Sequence, residues 1–149
     1  MPLVAGEANV EGDWTSGHFN YLNKTSRNNL LAIRSDGNFV ALTGATNTVT
    51  AEQNGCMFTV GTADMVITLP ATLAGLRYTF CVKTVSATTG CQISPAAADA
   101  IHFVTSVDDK DLINTAATDV EGDSVTLVAD GVDGWWVLGG VNGIWAKEA

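Results

Sequence analysis

The chain has 149 residues, 46% of them hydrophobic and only 15% charged, with a net charge of −9. That charge argues against nucleic acid as the main partner, because phosphate binding needs a basic face. No apolar run approaches the roughly 18 residues of a membrane-spanning helix, so no membrane partner is expected. A small domain this far below the usual charged fraction of about 25% is expected to hide part of its surface in an assembly.

The N-terminus, Met1-Pro-Leu-Val-Ala-Gly6, lacks the basic and apolar regions of a signal peptide, so synthesis is expected to leave the product in the cytoplasm. Residues 1–46 differ in character from the rest. Phe19 and Tyr21 alternate with polar neighbours, and Lys24, Arg27 and Arg34 follow with no acid between Asp13 and Asp36. Two readings stay open: an arm laid on a neighbour's acidic surface, or a solvated turn between strands. Leu30–Ile33 and Asn38–Leu42 flank Ser35-Asp-Gly37, which is hairpin chemistry. Thr43–Asn47 is a small polar linker, and a soft boundary is placed between residues 46 and 47.

From Thr48 onward short strands recur at the spacing of an all-β sandwich or barrel. They are expected at Thr48–Glu52, Cys56–Val60, Asp64–Leu69, Arg77–Val85, Cys91–Ser94 and Ile101–Val104. Met65, Ile67 and Leu69 share one face of the third, which Pro70 stops. Tyr78, Phe80 and Val82 point one way along the fourth, and Arg77, Thr79, Cys81 and Lys83 the other. Asp108–Asp111 and Asp119–Asp123 read as acidic connectors around Leu112-Ile113. The chain closes with Ser124–Ala129, a turn at Asp130–Gly134, Trp135–Leu138, a Gly-rich break at Gly139-Gly140, and Ile144-Trp145. The expected fold is therefore all-β: a single antiparallel β-sandwich, jelly-roll-like, or a β-barrel, with an N-terminal arm or hairpin and little helix.

Candidate chemistry is sparse. Asp119, Glu121 and Asp123 have i, i+2, i+4 spacing and could converge on Ca²⁺, but the spacing is not that of an EF-hand. A solvated acidic loop is the default, and no metal or other cofactor is expected. His102 sits between Ile101 and Phe103 and faces away from both. It has no recognisable nucleophile or carboxylate partner, and no Gly-x-Ser-x-Gly elbow is present. No catalytic residue is assigned, and the chain is not expected to be an enzyme. Cys56, Cys81 and Cys91 read as buried small hydrophobes, with a Cys81–Cys91 bridge as the minority alternative. Trp135, Trp136 and Trp145 are core or interface anchors. Consecutive residues of a strand face opposite sides, so at most one of Trp135 and Trp136 fills the core, and the other needs protein or ligand cover.

The segment from about Asn47 to Ala146 resembles a β-structured module of tailed-bacteriophage structural proteins. The residues that carry the likeness are Thr48-Val-Thr-Ala-Glu-Gln-Asn-Gly55, Val66-Ile-Thr-Leu-Pro70, Gly75-Leu-Arg-Tyr-Thr-Phe80, Gly122-Asp-Ser-Val-Thr-Leu-Val128, Gly134-Trp-Trp-Val137 and Asn142-Gly-Ile-Trp145. It is a pattern of turns and strands, not a catalytic motif. The resemblance implies a head-decoration (cement) protein, often a homotrimer, that binds the outside of the major capsid protein lattice and acts by binding alone. It would assemble in the host cytoplasm and end on the capsid surface of the virion. Phe19, Tyr21, Lys24, Arg27 and Arg34 would then contact capsid or a sister subunit. The alternative is a receptor-binding module of a tail fibre or tailspike, with Trp136 or Trp145 meeting a glycan. The chain's length, its initial Met and the lack of shaft repeats favour cement.

Overall fold

The computed structural model describes residues 39–149, which lie in a compact unit that begins at Asn38. Among the described residues there are eleven strands: β1 Phe39–Leu42, β2 Thr46–Thr48, β3 Met57–Val60, β4 Val66–Thr68, β5 Arg77–Val82, β6 Gly90–Ser94, β7 Ala100–His102, β8 Leu112–Thr115, β9 Ser124–Ala129, β10 Gly134–Asn142 and β11 Trp145–Lys147. The helical element among the described residues is one 3-10 turn, Ala51–Gln53. It takes the place of the strand expected at Thr48–Glu52. Thr50 and Gln53 close a capping box there, which satisfies backbone groups locally and removes the need for a ladder.

Two sheets pack as a sandwich. The larger runs β1-β3-β5-β9-β10-β7 and the smaller β11-β8-β6-β4-β2. The expected all-β fold holds, but the sheets are mixed rather than antiparallel. β1, β3 and β5 run parallel, and so do β2, β4 and β6. The connections explain this. Residues 43–45, 61–65 and 83–89 each cross from one sheet to the other instead of turning back within it. Each parallel pair therefore has a strand of the opposite sheet as its crossover. Antiparallel pairing enters later, at β5–β9, β9–β10, β6–β8 and β8–β11.

The winding stacks like on like. Val40, Phe58 and Phe80 are laddered neighbours, as are Leu42, Val60 and Val82, while Ile67 pairs with Ile93. Alternation sends one side of each strand inward. Tyr78, Phe80 and Val82 of β5 and Val125, Leu127 and Ala129 of β9 are buried, as Met65, Ile67 and Leu69 are opposite them. Phe58 stacks on Phe80 at 5.2 Å, and Tyr78 lies 5.3 Å from Trp135.

The boundary expected between residues 46 and 47 falls inside this unit. β1 and the start of β2 precede it, and they ladder onto β3 and β4. The Leu30–Ile33 half of the expected hairpin lies outside the described residues. Leu112–Thr115, read as part of a connector, is a strand that fills the gap between β6 and β11. The break expected at Gly139-Gly140 is instead a bulge. Val125 pairs with Val141 and Leu127 with Val137, so β10 carries extra residues opposite Thr126. Gly139 and Gly140 take φ values of 75° and 84° to make room for them.

Candidate functional site

Of the expected site residues, Phe19, Tyr21, Lys24, Arg27 and Arg34 lie outside the described residues. The tryptophans separate cleanly. Trp135 is 0% exposed and Trp145 6%, both in the core, while Trp136 is 51% exposed. The Trp145 indole N–H donates to the Asn142 carbonyl at 3.0 Å.

Trp136 is held rigidly. β7 runs parallel to β10 and sets His102 opposite Trp136. The two rings stack at 4.1 Å with planes 19° apart, so His102 covers one indole face of a residue that stays half-exposed. His102 Nδ1 hydrogen-bonds Ser106 Oγ at 2.8 Å. The Trp136 indole N–H donates to Asp130 Oδ2 at 2.8 Å. Asp130 Oδ1 accepts the backbone N–H groups of Val132, Asp133 and Gly134 at 2.8, 2.9 and 3.0 Å. One carboxylate thus folds the turn and fixes the indole.

These bonds, the Trp136 N–H first and then the Gly134 and Val132 amides, hold the Asp130 carboxyl well below the usual carboxylate range. A depressed carboxyl contributes stability that is complete above its unfolded pKa of about 3.9 and is lost as pH falls through the folded value. The Asp130 contribution to folding stability, read from the denaturation midpoint, should therefore stay constant down to about pH 5 and fall away as the pH drops below about 4. Asp130→Asn should flatten that acid limb; an unchanged limb in the variant would refute the assignment. Asp64 is lowered in the same direction, by the amides of Gly90 and Thr89 above all. It ties the 86–90 loop to the β3–β4 connection.

Exposed aliphatic side chains lie on the segments that flank Trp136. Leu138 follows two residues on along the same side of β10. Val132, 78% exposed, sits in the Asp130 turn, and Val104, 87% exposed, projects just past β7. Val104 has φ 67°, and the Thr105 N–H closes on the Phe103 carbonyl at 2.7 Å across it. This is a γ-turn with positive φ, a strained conformation for a β-branched residue.

Asp119, Glu121 and Asp123 do not converge. Asp119 accepts the Ser86 N–H at 2.6 Å, buried Asp123 accepts from Asn114 and Val120, and Glu121 is exposed. No group of three metal-ligating side chains forms among the described residues. No disulfide is present among them, and Cys81 is half-buried, not buried as expected. Cys81 lies on the outer face of the large sheet while Cys91 points into the core, which keeps them apart. No helix among the described residues is long and apolar enough to cross a membrane.

Sequence reasoning found the opposed faces of Trp135 and Trp136 and the outward His102. It missed the clamp that joins them. The parallel β7–β10 pairing brings residues 102 and 136 together with no hairpin to announce it, and Asp130 read only as a turn former.

Fold and surface together define a class: an all-β sandwich whose polar groups tie its turns and whose prominent outward feature is a fixed aromatic. The sequence matches no protein-family profile and no curated protein.

Proposed function

We propose that the protein is a virion structural protein that decorates the outside of the major capsid protein lattice and stabilises the head by binding, without catalysis. We place it on the capsid surface as a homotrimer assembled in the host cytoplasm. The observation that carries this reading is the outward Trp136 surface. A half-exposed indole fixed by His102 and Asp130, with exposed Leu138, Val132 and Val104 on the flanking segments, has the make-up of a protein-docking centre. The outer face of the large sheet adds to it. Phe39, Met57, Arg77 and the hydroxyl-paired Thr79 and Thr126 lie there. The phage-module likeness supplies the setting.

The specific observation behind a second reading, a tail-fibre or tailspike receptor-binding module, is the half-exposed Trp136 indole, flat and fixed by His102 and Asp130, on which a sugar ring could stack.

Incubating purified protein with undecorated heads and with host cells separates the two. Decoration predicts saturable addition to heads at a lattice-determined stoichiometry, with heads that survive hotter treatment. Binding to cells with no affinity for heads would reject decoration in favour of the receptor-binding reading.

A further inference from the structure

The turn that fixes Trp136 is acidic. Asp130 Oδ2 accepts the indole N–H at 2.8 Å. Asp133, exposed, belongs to the same turn, and its carbonyl accepts the Ala100 N–H at the start of β7. Asp108 bridges Ala100, and the Asp109 N–H bonds the Asp99 carbonyl. Further acids therefore gather at this end of the β7–β10 pair.

The cations of the described residues are Arg77, Lys83, Lys110 and Lys147. Lys110 pairs with Glu148, the one ion pair among the described residues, and Lys147 Nζ donates to the carbonyls of Ile101 and Lys110. Neither neutralises the 130–133 turn. Val128 pairs with Arg77 on one side and Trp136 on the other, so Arg77 stands in the same cross-sheet row as Trp136, two strands or about 10 Å away. The patch is asymmetric: negative on the turn side of the indole and positive on the β5 side.

The face of an indole attracts cations, and the carboxylate bonded to this one adds a fixed negative charge beside the ring. An ammonium gives up its water reluctantly. A guanidinium is planar and weakly hydrated, stacks on aromatic rings, and pairs through its N–H groups with a carboxylate in the same plane.

We propose that the Trp136 surface receives an arginine side chain of a partner protein, the capsid protein on the reading above, with the guanidinium on the exposed part of the indole and toward the Asp133 carboxylate. Repulsion from Arg77 keeps the guanidinium on the turn side and so sets the partner's orientation. The partner's identity rests on the decoration reading; the chemistry of the seat rests on Trp136, Asp130 and Asp133.

The test uses the full-length chain and two probes. One is the capped peptide Gly-Arg-Leu-Arg-Gly; the other has citrulline for arginine, which keeps the shape and removes the charge. Indole N–H resonances report binding, and Trp136→Phe identifies the one from Trp136. The arginine peptide should shift that resonance saturably, less at high salt, and leave those of Trp135 and Trp145 in place. The citrulline peptide should bind about tenfold more weakly. Asp133→Asn should weaken arginine-peptide binding about threefold and Trp136→Leu about fivefold, the sizes of an exposed ion pair and a cation–π contact. Circular dichroism checks that both variants fold.

Equal binding of the two peptides, binding indifferent to both substitutions, or no saturable shift at millimolar peptide overturns the proposal. Failure of the decoration reading looks different. If the arginine peptide fails by any of these criteria while wild type still adds to heads, the proposal falls and decoration stands. If the peptide binds as expected and heads take up no protein, the arginine seat stands and decoration falls.

Discussion

Replacing Trp135 with alanine is expected to cost about 3–5 kcal/mol of folding stability, the range for a buried tryptophan or phenylalanine. The same change at Trp136, one residue on, should cost about 1 kcal/mol or less, since it removes a half-exposed ring. Trp135 is fully buried against Tyr78, between the two sheets. Its removal opens a cavity that the close-packed Phe58, Tyr78 and Phe80 ladder cannot fill. Trp135→Phe should be milder than Trp135→Ala. The buried indole nitrogen of Trp135 has no hydrogen-bond partner, and an unsatisfied buried donor costs about 1–3 kcal/mol. Phenylalanine keeps most of the ring and removes that donor. Chemical denaturation of the three variants checks this; equal losses at 135 and 136 would contradict the assignment of faces.

Gly134→Ala is expected to be the most damaging single methyl addition in this region. Gly134 has φ 147°, which L side chains rarely adopt, and a Cβ there would run into the backbone of Ala100. The positive φ costs on the order of 1–3 kcal/mol, and the forced backbone shift adds a further 1–3 or so. The damage should be local as well as global. Gly134 and Ala100 are the first partners of the parallel β10–β7 pair, and the Gly134 N–H is one of the bonds that hold Asp130. Pushing β7 away should separate His102 from Trp136, so Gly134→Ala should shift Trp136 emission under conditions where the remaining fold is intact. An alanine at Gly55, also at positive φ but with open space around it, provides the control with strain and no collision.

The strand pattern was legible wherever a strand has one buried face. β5 and β9 alternate as their sequences indicate, because a period of two survives in the choice of side chains. It was less legible where local chemistry competes, as at the 3-10 turn after β2, and where a strand is short and flanked by acids, as at β8. Its buried residues are Leu112 and Asn114, and a buried asparagine does not read as core. The outward Trp136 followed from its neighbour being inward. Its partners did not follow, because His102 and Asp130 reach it through pairings between segments distant in sequence or across a turn.

The sequence alone determined the all-β class, the shared faces of β4 and β5, and the opposition of Trp135 and Trp136. These are local properties, fixed by side-chain period and by the φ tolerance of glycine. Only the tertiary structure decided that successive strands cross between sheets and so run parallel, that Gly139-Gly140 is a bulge, and that His102, Trp136 and Asp130 form one clamp. Those outcomes depend on which distant strands pair, and pairing is set by how well whole faces pack, a quantity no short stretch of sequence contains.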